Sequence, residues 1–216
     1  MSTILFHEIV YGPVHSRRMG TSLGINLLPY DGKLCSFDCL YCECGFNENF
    51  RTKTKLPSRE NVKAALEDKF QKLKNEGKKL DVITFAGNGE PTLHPEFAEI
   101  IEDTIQLRNH YYSEAKISVL SNGILVSKVK VFEALQKVDN PILKLDSADD
   151  ETVRLIDRPN SPDYSVARQV ELYKKFKGNF VLQTMFLRGE FEGKEIDNSK
   201  KEDVLAWLEL VKEMNP

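Results

Sequence analysis

The sequence predicts an α/β protein whose parallel sheet is covered by helices. Three observations carry that expectation. Apolar strand-like runs and amphipathic helical runs alternate five times along the 216 residues, the pattern of parallel βαβ units. A chain of this length suits one domain that buries roughly 70–75% of its unfolded surface. Finally, small polar clusters follow directly on the strands, at the end where parallel α/β folds bind ligands.

The first strand is Ser22-Leu-Gly-Ile-Asn-Leu-Leu-Pro29, stopped by its proline. Pro57-Ser58 then introduces a helix whose Val62, Leu66, Phe70 and Leu73 share one face, with Gly77 as terminator. Asp81-Val-Ile-Thr-Phe-Ala86 is a buried strand that runs into Gly87-Asn88-Gly89-Glu90-Pro91. Pro95 is expected in the first turn of the next helix, where its missing N–H is harmless. Phe97, Ile101 and Ile105 form the inner stripe of that helix.

Ala115-Lys-Ile-Ser-Val-Leu120 is the third strand and ends in Ser121-Asn122-Gly123, ahead of a short helix over Ser127–Gln136. Pro141-Ile-Leu-Lys-Leu-Asp146 is the fourth strand and opens into an acidic loop, Asp146-Ser147-Ala-Asp149-Asp150. Ser165 caps a helix with Val166, Val170, Tyr173 and Phe176 inward. Asn179–Leu187, containing Gln183, is the fifth strand, and Ser199 with Glu202 forms a capping box ahead of Val204, Trp207, Leu208 and Val211.

All four cysteines fall between positions 35 and 44, too few and too close for a secreted disulfide scaffold. Cys35, Cys39 and Cys42 are spaced C-x3-C-x2-C. Thiolates are soft ligands that select iron–sulfur clusters, zinc or copper. Four protein ligands are usual for a structural site, so three leave one metal position open, as catalysis requires. From the residues alone three readings stand: a catalytic cluster with an open corner, an electron-transfer cluster closed by Cys44, and a structural zinc site.

The C-x3-C-x2-C spacing resembles the signature of the radical S-adenosylmethionine (SAM) superfamily. Tyr41 stands where that family places an aromatic residue beside the adenine, and Gly87–Pro91 is similar to its GGEP motif. Tyr11-Gly-Pro-Val-His-Ser-Arg17-Arg18-Met-Gly20, followed by Ser22-Leu-Gly-Ile-Asn26, resembles a branch related to the wyosine-tRNA enzymes. The resemblance implies a partial (β/α)6-type, TIM-like barrel, with about five β/α repeats present here. A single core domain over 1–216, C-terminally incomplete before a sixth strand, is therefore expected. It also implies a 4Fe-4S cluster on Cys35, Cys39 and Cys42, with Cys44 a bystander, and SAM as cofactor. SAM contacts are expected from Tyr41, Gly87, Asn88, Gly89, Glu90 and Pro91, from Ser121 and Asn122, from Asp146 and Ser147, and from Gln183. The implied chemistry is reductive cleavage of SAM to a 5′-deoxyadenosyl radical, driven by a flavodoxin- or ferredoxin-like one-electron donor.

Bulk properties narrow the setting. Hydrophobic content is 41%, charged content 29% and net charge −3, ordinary values for a soluble globular protein. There is no apolar run long enough for a membrane span and no signal-peptide pattern at the start, so the cytoplasm is expected. Ten Lys and Arg against four acids between Arg51 and Leu80 make a basic run that could guide tRNA or simply be a solvated helix face. Related wyosine enzymes carry a second cysteine cluster, and this chain has no cysteine before Cys35. His15 and His94 read as satisfied loop histidines or substrate-facing bases. Arg17 and Arg18 read as phosphate contacts or surface charges, and Met185 and Trp207 as core.

Overall fold

The computed structural model describes residues 3–49 and 52–216; Arg51, counted in the basic run, lies outside them. Six strands form one sheet in sequence order: β1 (Val10–Ser16), β2 (Gly20–Ile25), β3 (Val82–Phe85), β4 (Lys116–Ser121), β5 (Asn140–Lys144) and β6 (Val181–Gln183). The five strands from β2 to β6 pair in parallel. The expected wholly parallel sheet needs one correction, because β1 pairs antiparallel with β2. Only Arg17–Met19 separate the two strands, and so short a link can join only antiparallel neighbours.

Helices α1 (Arg59–Asn75), α2 (Phe97–Tyr111), α3 (Val129–Gln136), α4 (Asp150–Ile156), α5 (Val166–Lys174) and α6 (Lys201–Met214) connect or follow the strands. Ser58 caps α1 by accepting from Asn61 N, and Ser165 caps α5 by accepting from Arg168 N, as expected. Three local expectations fail. Pro95 lies before the Glu96 cap of α2 rather than in its first turn. Ser199 does not cap α6, since its hydroxyl donates to Asp197 instead. The fifth strand is cut to β6, after which the chain makes a separate hairpin, β7 (Arg188–Phe191) with β8 (Lys194–Asp197), across a Glu192-Gly193 turn with both residues at positive φ.

The two faces of the sheet differ in chemistry. Ile83, Phe85, Ile117, Val119 and Leu143 on the outer face are fully buried under Leu66, Phe70, Ile101 and Tyr173 of the helices. Each such side chain contributes about 1.5–3 kcal/mol on leaving water. The inner face is layered by the parallel register. Gly24, Thr84, Ser118 and Asn140 are level with one another, as are Leu120, Ile142 and Val181 above them. Small hydrogen bonds satisfy the lower polar positions, Ser22 Oγ to Thr84 Oγ1 at 2.9 Å and Asn140 Nδ2 to Ser118 Oγ at 3.0 Å. Among the described residues no helix is long and apolar enough to cross a membrane.

Candidate active site at the carboxyl rim of the sheet

Every parallel strand ends at the same rim, and the cysteine loop between β2 and α1 lies across it. The loop is built by three polar side chains that the cysteine spacing does not reveal. Lys33 Nζ donates to Asp38 Oδ1 at 2.9 Å and to the Gly45 carbonyl at 2.8 Å, so it ties the loop's start, middle and end together. Asp38 Oδ1 also accepts from Asn47 N at 2.8 Å. The Asn47 amide then pairs with Cys35 as a strand would, accepting from Cys35 N at 3.2 Å and donating to Cys35 O at 3.1 Å. Backbone bonds from Asp38 N to Asp157 O and from Leu40 N to Ile156 O fasten the loop to the end of α4.

The Gly87–Pro91 turn after β3 braces the loop from the other side. Leu34 N donates to Asn88 O, and Glu90 N donates back to Leu34 O. This parallel bridge explains Gly89, and the Asn26 side chain explains Gly87. A Cβ at Gly89, whose φ is +133°, would stand 1.9 Å from Leu34 O, and one at Gly87 would stand 2.3 Å from Asn26 Oδ1. Asn88 is fully buried and already satisfied within the protein. It accepts from Phe6 N at 2.8 Å and donates to Phe6 O and Pro29 O. Its side chain therefore fastens the segment before β1 onto the rim, together with Asn26.

Glu90 is buried, 2% exposed, and turns toward the cysteines, not into solvent. Its Oε1 accepts from Thr92 N, Thr92 Oγ1 and Ser121 Oγ, and its Oε2 from Asn122 N. Burial holds its carboxyl above the usual range, with these hydrogen bonds pulling the other way. Pro91 opens the buried one-turn helix that Glu90 caps. Asn122, directly after β4, reaches the loop with Nδ2 at 2.9 Å from Ser36 Oγ and 3.7 Å from Cys35 Sγ.

At the end of β5 a buried charge cluster meets Tyr41. Lys144 forms ion pairs with Asp146 and, at 2.9 Å, with Asp157, and its ammonium sits 4.4 Å from the centre of the Tyr41 ring. The Tyr41 hydroxyl donates to Asp146, whose other oxygen accepts from Met185 N at 2.9 Å. Burial pushes the Asp157 carboxyl up to about 7, against the pull of Lys144. The helix cap in this loop is Asp149, which accepts from Thr152 N, while Ser147 Oγ accepts from Asp149 N.

The four thiols are free and electrostatically distinct. Burial, and then the Glu90 charge, push Cys35 up to about 12. Burial raises Cys39 well above the ordinary thiol range, with Lys144 opposing. Cys42 is drawn down to about 6, first by a hydrogen bond from Cys44 and also by Lys33. Cys44 itself is buried beside the Gly87 carbonyl, 3.6 Å away. Among the described residues no three His, Cys, Asp or Glu side chains close round a single metal ion. The fit to a polynuclear cluster rests instead on the donor set. Cys35, Cys39 and Cys42 are only half-buried, share one loop, act on one another electrostatically, and face neutralising cations.

Other expected residues lie elsewhere or do structural duty. Gln183 is level with Lys144 and exposed, with its carbonyl accepting from Leu145 N. His15, Arg17 and Arg18 sit at the β1–β2 turn, the end of the sheet opposite the cysteines. His94 is satisfied by Pro57 O and Glu96 N. Met185 is 43% exposed and so is not core, whereas Trp207 is half-buried and donates to Leu145 O at 3.0 Å. Two of the expected basic residues, Arg59 and Lys63, are paired with Asp103. Lys33, Asp38, Asn47, Lys144 and Asp157 were not anticipated; the only signal was the Lys and Asp flanking the cysteines.

This geometry has counterparts. Two curated relatives match nearly the whole chain. A Brachyspira hyodysenteriae protein described as GTPase Obg is 35% identical over 94% of this chain and 28% of its own length. The UPF0026 protein MJ1312 of Methanocaldococcus jannaschii is 32% identical over 96% of this chain and 61% of its own length. The chain thus spans less than two thirds of either relative. Among solved structures, anSMEcpe with bound AdoMet superposes with a TM-score of 0.54 at 22% identity, covering 89% of this chain and 48% of that one. Archaeal TYW1 superposes with a TM-score of 0.51 at 15% identity, covering 89% and 61%; at these identities the likeness is one of fold. The model of the Radical SAM superfamily matches residues 31–199, from the start of the cysteine loop to the end of the hairpin, and the chain belongs to that superfamily.

Proposed function

We propose that this protein is a radical SAM enzyme in which Cys35, Cys39 and Cys42 hold a 4Fe-4S cluster that binds and reductively cleaves SAM. The observation that supports this best is the convergence of three free thiols with Glu90, Asn122 and the Tyr41–Lys144–Asp146 group at one rim. When bound, the cluster and SAM supply the one-electron cleavage that generates a 5′-deoxyadenosyl radical for hydrogen abstraction. The protein's own residues position and shield that chemistry. Glu90 presents a buried carboxylate with room at Oε2 for an ammonium donor. Asn122 donates toward the Cys35 sulfur, one of the contacts that set a cluster's potential. Asp146 and Ser147 follow β5 where ribose hydroxyls would lie, and Tyr41 is held there by Asp146. Gly87, Asn88, Gly89 and Pro91 act by holding the cysteine loop against this group.

The substrate is unassigned. The electron donor would be a flavodoxin- or ferredoxin-like protein, and tRNA is the candidate macromolecular substrate, on the strength of the likeness to the wyosine branch. Anaerobic reconstitution with iron and sulfide, followed by SAM and dithionite, tests the proposal. The expected result is brown protein that releases 5′-deoxyadenosine, with Cys39→Ala losing both properties and Cys44→Ala keeping them. Loss of the cluster in Cys44→Ala as complete as in Cys39→Ala would instead mark a closed, four-thiolate electron-transfer site. A colourless protein holding zinc would mark a structural one.

A further inference from the structure

We propose that Lys33 sets the charge of the cysteine loop: its buried ammonium makes the group held by Cys35, Cys39 and Cys42 easier to reduce. This rests on the reading above that those cysteines hold an iron–sulfur cluster. The Lys33 side chain is 1% exposed, and lysine is almost never buried so fully unless it is paired. Its partners are Asp38 and the Gly45 carbonyl, both inside the cysteine loop. Lys33 is not the loop's only tie. The bonds from Asn47 N to Asp38, and from the Asn47 amide to Cys35 and Phe37, hold the middle of the loop without it.

What those amide bonds lack is a formal positive charge beside sulfur. Lys33 supplies it from within the loop, two residues before Cys35, with its ammonium held between Asp38, the neighbour of Cys39, and the Gly45 carbonyl. Asp38, its partner, is 19% exposed, so water screens the carboxylate more than the ammonium. Lys144, the other buried cation near the thiols, differs because it is shared between two carboxylates, Asp146 and Asp157. Lys33 therefore has the larger uncompensated field. One-electron reduction adds a negative charge among the sulfurs, and a fixed cation close by stabilises the product more than the reactant.

Reconstituted wild type, Lys33→Met, Lys33→Arg and Asp38→Asn proteins, titrated electrochemically without SAM and assayed for iron, distinguish charge from scaffolding. Lys33→Met is expected to bind wild-type iron while its reduction equilibrium constant falls about tenfold, 59 mV for a one-electron couple. Lys33→Arg, which keeps the charge, should titrate with wild type. Asp38→Asn keeps an acceptor for Asn47 N but removes the counter-charge, so its potential should rise. Opposite shifts in Lys33→Met and Asp38→Asn support the charge role, and the Asp38→Asn rise does so even if Lys33→Met fails to hold iron. Shifts of the same sign, or a Lys33→Met potential equal to wild type, overturn it. If wild type itself takes up no iron and sulfide, the functional reading fails first, and this inference fails with it.

Discussion

The two flanks of the rim are constructed differently. On the flank from β2 to β4, buried side chains fix the chain wherever it crosses itself. Asn26 and Asn88 hold the segment around Phe6, Asn47 holds Cys35, and Glu90 joins the ends of β3 and β4. On the β6 flank, Val181, Met185 and Phe186 are 48%, 43% and 42% exposed, and among the described residues β6 has no strand on its outer edge. The β7–β8 hairpin meets the cysteine loop through aromatic contact, Phe191 edge-on to Phe46 at 6.1 Å, with the Arg158 guanidinium 4.9 Å from the Phe46 ring centre. Buried side-chain hydrogen bonds are thus concentrated where the three thiols lie. The flank at β6 leaves more of its apolar surface open to water.

The hardest blow to the rigid flank is Glu90→Ala. It strands buried donors on Thr92, Ser121 and Asn122, each worth about 1–3 kcal/mol when unpaired. A loss on the order of 4 kcal/mol is expected by urea denaturation of the iron-free protein, and a loss under 1 would dissolve the contrast. Asn88→Gly, which brings the turn closer to the family motif, should remove about 2 kcal/mol by releasing Phe6 and Pro29. Cluster assembly should survive that change, because the Leu34–Gly89 bridge uses backbone alone; iron analysis after reconstitution decides it.

On the loose flank, Val181→Thr and Leu205→Gln should each move stability by no more than about 0.5 kcal/mol. A fall of several times that in thermal or urea unfolding would show the β6 side to be as tightly held as its opposite. The smallest expected effect lies away from both flanks, where Arg59 grips Asp103 between α1 and α2. Arg59 holds the Asp103 carboxyl below its ordinary value of 3.8. A depressed carboxylate stabilises the fold above its unfolded pKa, and that contribution disappears as pH falls through the folded value. Arg59→Met should therefore flatten the stability profile below about pH 4 and leave its shape near neutrality unchanged.

The rigid flank was also the more legible one. Its strands are apolar runs, and its helices repeat Val62, Leu66, Phe70 and Leu73, so periodicity located both. The element missed between β5 and α5 is α4, which opens with Asp150-Glu151 and buries only Val153 and Ile156, too little for a stripe to show. The β7–β8 hairpin escaped because Arg188, Glu190, Lys194 and Glu195 are all exposed, leaving no alternation to detect. In the site, cysteine spacing singled out Cys35, Cys39 and Cys42, but the residues that shape the loop act over distance. Asn88 meets Phe6 across 82 residues, and Tyr41 meets Asp146 across 105. Pairings of that separation leave no local pattern. The Asn88 side chain makes its bonds to Phe6 and Pro29, which no local motif marks.

Trp207 is the chain's single tryptophan. Its indole N–H donates to Leu145 O, one residue from Asp146, and its ring meets Phe186 edge-on at 5.3 Å. The chain therefore carries one indole fluorophore, hydrogen-bonded just beyond the end of β5. Occupancy of that strand end can be followed by emission from the unlabelled molecule, without background from any other indole.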